Sequence, residues 1–368
     1  MDHLNAIDAL IADLRGRGDY HQLFYALLLK ARVALKVSPF PTGPAADLPA
    51  EVHEPYEAAI RAAAREVGGL LLKQNDLPRA WGFFRLIGEP GPIQEALERF
   101  EPGPDDDIYP LLDLAWHQRV SPARGFDLVL ARNGVCSAIT TLSSTDLSND
   151  LPLRLACIGK LIAALHAQLL DRLEADLVHR KLTLPSPPTL PGMLRDELFL
   201  DDAYHIDVSH LSSVVQMALE LPPGDAALGK ARELCDYGRK LSRAYRGESE
   251  PPFENNYEDY AVLLGILAGD EVEHGLSHYE AKIAPALVQG NSFPAEVLVN
   301  LLLKLDRLPQ ALTVAKTHLP AIDDAELSCP GVMDLARRAG DYASLKEAAL
   351  AKGDAVTALA AEIALNSM

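Results

Sequence analysis

The stretch that decides the fold is Gly331–Ala351, GVMDLARRAGDYASLKEAALA. An apolar segment with three-to-four spacing stops at Gly340, Asp341 follows, and a second such segment begins at once. Glycine enters the left-handed region without a Cβ penalty and so ends a helix, while an aspartate side chain caps the free N–H groups of the next one. The reading is an antiparallel helical hairpin. The same punctuation recurs at Arg17-Gly18-Asp19-Tyr20, Gln74-Asn75-Asp76-Leu77, Ala268-Gly269-Asp270-Glu271 and Leu305-Asp306-Arg307-Leu308. Four residues beyond the third member of each group stands a residue placed for helix–helix contact: Leu23, Ala80, His274, Ala311 and Leu345. Asp270 and Arg307 are 37 residues apart, Arg307 and Asp341 34. Periods of this size belong to hairpins that cannot bury an apolar face alone and therefore stack into a solenoid.

Outward from that hairpin, Leu/Ala-rich segments with the same spacing fill most of the chain, and strict alternation of β-branched with polar residues does not occur. The fold class is therefore all-α. Helices are predicted at about 3–15, 20–36, 55–74, 77–88, 92–100, 109–118, 124–132 and 152–182. Others follow at about 208–220, 225–246, 257–268, 271–287, 294–304, 309–318, 331–338, 342–351 and 355–366. Pro-rich or polar stretches at 38–50, 101–110, 183–192 and 247–256 break the pattern, because proline lacks the helical N–H. They suggest an N-terminal helical-repeat region at 1–100, a less regular helical region at 101–250 and a C-terminal repeat region at 251–368.

Composition narrows the function. Lys and Arg number 34 against 52 Asp and Glu, a net charge of −18, which excludes a phosphate-tracking nucleic-acid binder. A hydrophobic share of 48% with mean hydropathy +0.02 is that of a chain with ample core. The N-terminus lacks the pattern of a signal peptide and no 18-residue uninterrupted apolar run is present, so neither export nor membrane insertion is expected. Cys136, Cys157, Cys235 and Cys329 lie too far apart for a metal knuckle, and free thiols in a cytoplasmic setting are expected. No nucleotide-binding glycine motif or nucleophile elbow occurs.

At the turns the chain resembles the tetratricopeptide family of helical repeats. Asn75-Asp76, Ala80 and Phe84 match that family's Gly-Asp, Ala and Phe framework, and Gly353-Asp354 with Ala358 repeats its first part. The resemblance spans chiefly 1–90 and 257–368, and the family's Trp, Leu-Gly and Tyr on the first helix are largely missing. It implies a concave groove that binds a peptide or partner protein.

Two His/acid clusters stand outside that framework. In Asp270–Glu280, His274 and His278 are one helical turn apart, a spacing that lets two imidazoles share one metal ion, and Asp270 with Glu273 reads as a capping box. In Asp201–His210, His205, Asp207 and His210 gather where Asp207 should cap a helix. Together the four imidazoles and carboxylates suit a divalent transition metal, zinc, iron or manganese, with Glu258, Asp259 or Glu271 as a general base. Glu258 and Asp259 also read as first-turn acids favoured by the helix dipole, behind Asn256 as cap. The leading expectation is a scaffold whose concave acidic surface binds a protein or peptide partner of some basic character, steered by the net charge. The alternative is a metal-dependent hydrolase or oxygenase built on the helical scaffold.

Overall fold

The computed structural model describes residues 3–41, 48–103, 106–320 and 322–367. Parts of the first two Pro-rich stretches, 42–47 and 104–105, lie outside the described residues. Among the described residues every regular element is helical and there is no strand. The chain forms two compact units, Met1–Gly134 and Val135–Met368.

The first unit holds α1 (His3–Arg17), α2 (Tyr20–Ala34), α3 (Ala50–Lys73), α4 (Leu77–Leu86), α5 (Gly91–Arg99) and α6 (Tyr109–Leu112), which runs on as a π turn over Asp113–His117. Here α1 packs on α2, α2 on α3, α3 on α4 and α4 on α5. The next helix, α7 (Pro122–Ser144), continues past its predicted end near 132. Its non-helical residue is Gly134, at φ 77 and ψ −176, a combination open to glycine almost alone, and the division between units falls there.

The second unit continues with α8 (Leu151–His179), α9 (Leu190–Met193), a 3₁₀ turn over Asp196–Asp202, α10 (Val208–Ala218), α11 (Leu228–Lys240), α12 (Arg243–Arg246), α13 (Tyr257–Ala268) and α14 (Val272–Ala281). It ends with α15 (Ile283–Val288), α16 (Phe293–Lys304), α17 (Leu308–His318), α18 (Val332–Ala339), α19 (Tyr342–Ala351) and α20 (Ala355–Ser367). The predicted helices 225–246 and 271–287 thus each divide in two. On the two sides of the joint expected near 250, α11 and α13 pack together. Gly238 has no side chain, and the Tyr257 ring fills that place: a Cβ there would stand 2.5 Å from the ring's Cδ2.

Sequence periodicity becomes packing through one recurring turn. Gly18, Asn75, Gly269, Asp306, Gly340 and Gly353 all have positive φ. In each case the next amide reaches back five residues to a carbonyl, as in Asp19 to Leu14 at 3.0 Å, Asp76 to Leu71 at 3.0 Å and Asp341 to Ala336 at 3.0 Å. Those bonds satisfy helix-end carbonyls that would otherwise be orphaned. Asp19, Asp76, Asp341 and Asp354 then cap the following helix with their carboxylates, at 3.0–3.2 Å from the amides of Gln22, Arg79, Ser344 and Thr357. Four residues past the cap, Leu23, Ala80, Ala311, Leu345 and Ala358 are buried.

One turn departs from the expected frame. The cap of α14 is Glu271, itself left-handed at φ 46, and its side chain caps nothing. Counting four from Glu271 brings Gly275 to the contact position, where a Cβ would meet the Ile266 side chain at 2.5 Å, and leaves His274 exposed. The capping box expected from Asp270 and Glu273 does not form: Asp270 pairs with Arg232, and Glu273 with Arg307 at 2.6 Å.

A row of leucines on α8, Leu161, Leu165, Leu169, Leu173 and Leu177, is wholly buried, and the helix packs on α10 and α11. By length and composition alone this helix is long and apolar enough to cross a bilayer, an 18-residue window of it having mean hydropathy 1.4. Its leucine row, however, is spent inside the unit. At the other extreme α20 rests Ala358 and Ala361 inward and turns Val356, Leu359 and Ile363 to the solvent, Val356 being 81% exposed.

Candidate functional site

A groove of about 890 Å³ opens among α11, α13 and the start of α14. Helical periodicity builds its walls. Gly229, Arg232, Glu233, Asp236 and Arg239 share one face of α11, while Glu258, Ala261, Val262 and Gly265 share one face of α13. Asp270, Glu271 and His274 close the third side. Its small residues open the space: a Cβ at Gly229 or Gly269 would meet nothing within 4 Å.

The lining carries two arginines against five acids, an excess of three negative charges. Three of the acids are engaged. Asp270 pairs with Arg232, Asp236 with Arg239, and Glu233 lies 2.5 Å from Nε2 of the buried His166. Glu258 and Glu271 have no ion pair or side-chain hydrogen bond among the described residues, and both are exposed. The groove therefore presents two free carboxylates and one exposed imidazole, His274, to whatever enters it.

Asp259, adjacent to Glu258, has a different place. It is fully buried, and its Oδ1 takes Lys282 Nζ at 2.7 Å and His278 Nε2 at 2.8 Å, while Oδ2 accepts the Asn255 amide at 2.8 Å. Lys282 Nζ also donates to the Pro252 carbonyl at 2.8 Å and lies 3.0 Å from Glu254. The Tyr279 hydroxyl, pushed far up by burial and by the nearby Asp259 charge, donates to the Asp259 carbonyl at 2.6 Å. This node ties α13, α14 and the 247–256 segment together. Asn256 precedes α13 as expected but does not cap it, since its side-chain amide donates to the Arg246 carbonyl.

The other histidine cluster is separate again. His205 Nε2 stands 3.1 Å from Asp176 Oδ2, its amide donates to the Tyr237 hydroxyl at 2.7 Å, and its ring lies beside Phe199. Burial raises the Asp176 carboxyl, but hydrogen bonds from Arg180 and His205 outweigh it and hold the group below the usual carboxylate range. Asp207 caps α10 as expected: its carboxylate accepts the Ser209 hydroxyl at 2.5 Å and the amides of Ser209 and His210 at 2.8 and 3.3 Å, and these bonds, the hydroxyl's first, keep it low as well.

The residues singled out as metal ligands are thus divided. His205 turns to Asp176, Asp207 to the α10 amides, His278 to Asp259, and His274 to the groove, while only the main chain of His210 has an assigned bond. Among the described residues no three His, Cys, Asp or Glu side chains gather to hold a metal ion. Compared with known proteins, the chain matches no family model, no curated protein and no solved structure. Of the candidate acids the structure brings Glu258 and Glu271 to one groove and withdraws Asp259 from it. Sequence reasoning missed Arg232, Glu233, Asp236 and Arg239, although their spacing on α11 beside Gly229 marks one polar helical face.

Proposed function

We propose that this chain is a helical-hairpin repeat protein of the tetratricopeptide type that binds a protein or peptide partner, taking a basic segment of it into the groove of the second unit. The observation that carries the reading is the pair of unpartnered carboxylates, Glu258 and Glu271, which account for two of the three excess negative charges of the groove lining. An acidic concave surface raises the local concentration of a cationic segment and speeds its encounter, and the net charge of −18 acts in the same direction. The recurring turns support the repeat reading, since one geometry ends α1, α3, α13, α16, α18 and α19. A cytoplasmic setting accords with four thiols that form no disulfide.

The test is fluorescence anisotropy with a labelled peptide of alternating alanine and arginine, beside one of alanine and glutamate. The arginine peptide should bind, more weakly as salt rises, and the glutamate peptide should not. Replacing Glu258 and Glu271 together by Gln should weaken binding by about 3- to 10-fold. Equal binding of both peptides, or no effect of the double variant, refutes the reading.

A further inference from the structure

The groove already holds a guanidinium, that of its own Arg232. Nε, Cζ and Nη2 of Arg232 lie 3.7, 3.8 and 3.8 Å from the point where a Cβ on Gly265 would stand. Near-equal distances to three atoms of one plane mean that the guanidinium faces the glycine. A Cβ at position 265 would stand in ordinary van der Waals contact with that plane, so the small glycine forms a flat floor over which the guanidinium lies. At its edge the same group is paired with Asp270, which belongs to the turn after α13. Arg232 reaches this position from α11, across the groove, and both partners remain partly exposed, at 38% and 59% of their side chains.

We propose that Arg232 is an internal stand-in for the partner's cation. In the free protein it covers Gly265 and holds Asp270; on binding, an arginine of the partner's basic segment takes that place and Arg232 swings to solvent. This rests on the partner-binding function proposed above and adds the ligand's chemistry and a built-in competitor. Three features argue for it. The floor accommodates a planar guanidinium, which an ammonium ion does not match in shape. The contested carboxylate is flanked by the unpaired Glu271, so an incoming cation gains a second acid that Arg232 does not use. The existing pair is solvent-exposed, and exposed pairs are weak enough to be exchanged.

Competition of this kind lowers apparent affinity by the fraction of time the site is open. For an exposed ion pair that fraction implies a gain of about two- to sixfold when the competitor is removed. The experiment measures the arginine peptide, and a peptide of alternating alanine and lysine, against wild type, Arg232→Ala and Arg232→Gln, with helix content checked by circular dichroism. Lys230→Ala, on the same helix but outside the groove lining, removes the same charge as a control. Both Arg232 variants should bind the arginine peptide more tightly by that factor and Lys230→Ala should not, and in Asp270→Asn the gain from Arg232→Gln should vanish. The arginine peptide should outcompete the lysine peptide. If wild type binds the arginine peptide but the Arg232 variants bind it equally or less well, or Lys230→Ala gains as much, the competitor is refuted while partner binding stands. If no protein binds either peptide, both proposals fall.

Discussion

At the level of single residues, the buried Asp259 and Glu296 show what carboxylates do when taken out of water. Asp259 is enclosed by Lys282, His278 and the Asn255 amide. Removing one member of a buried ion pair strands the other, so Asp259→Asn should cost about 3–5 kcal/mol in chemical denaturation, and adding Lys282→Met should restore part of it. Glu296 on α16 accepts the Ser328 amide at 2.8 Å and the hydroxyls of Ser328 and Ser292 at 2.6 and 2.7 Å. Burial raises this carboxyl, but the Ser328 and Ser292 bonds outweigh it and hold it below the usual glutamate value. A group whose folded pKa is depressed stabilises above its unfolded pKa and loses that contribution as pH falls through the folded value. Wild type should therefore melt above Glu296→Gln at neutral pH, by about 1–3 kcal/mol, and the difference should shrink once pH drops below about 4. None of these partnerships was legible in the sequence. Asp259 reads there as one more first-turn acid, because what isolates it, Lys282 and Tyr279, arrives from another helix.

At the level of elements the sequence was far more informative, and the reason is local. A Gly-Asp turn carries its own instructions, a residue free to be left-handed and a side chain that reaches the next amides, so helix ends at 17–20, 73–77 and 339–342 could be read without knowing the fold. Gly340→Val should cost about 1–2 kcal/mol, since φ there is +67, and Asp341→Ala about 1 kcal/mol. The turn before α14 was misread by one residue for a reason that is not local. Arg232, from α11, engages the carboxylate of Asp270, and the helix starts one position later with Glu271 left-handed. Glu271→Gly should consequently move two measurements in opposite directions. Relief of the left-handed side chain should raise stability by a net of about 0.5–1 kcal/mol, while loss of the carboxylate should weaken peptide binding. A variant that lost both stability and binding would mean that Glu271 supports the fold rather than the groove.

At the level of the whole molecule, the net charge indicated acidity without placing it. Histidine spacing indicated proximity along the chain, but His274 and His278, one turn apart, face different neighbours, because one lies over the groove and the other over Asp259. Direction depends on which helix packs alongside, and that information is spread over the whole second unit. The leucine row of α8 belongs to this scale too, and it sets a clock. An amide deep in a core exchanges its proton for deuterium only when its surroundings open, whereas a frayed terminal helix opens at almost no cost. The amides of Leu161, Leu165, Leu169 and Leu173 should be the last in the second unit to take up deuterium, and those of α20, with one apolar face turned to water, among the first. Followed by mass spectrometry over seconds to days, uptake should spread inward from Val356–Ile363 and reach the middle of α8 last. Simultaneous labelling of both would show that the second unit opens as one body, with no slow centre for its edge to depend on.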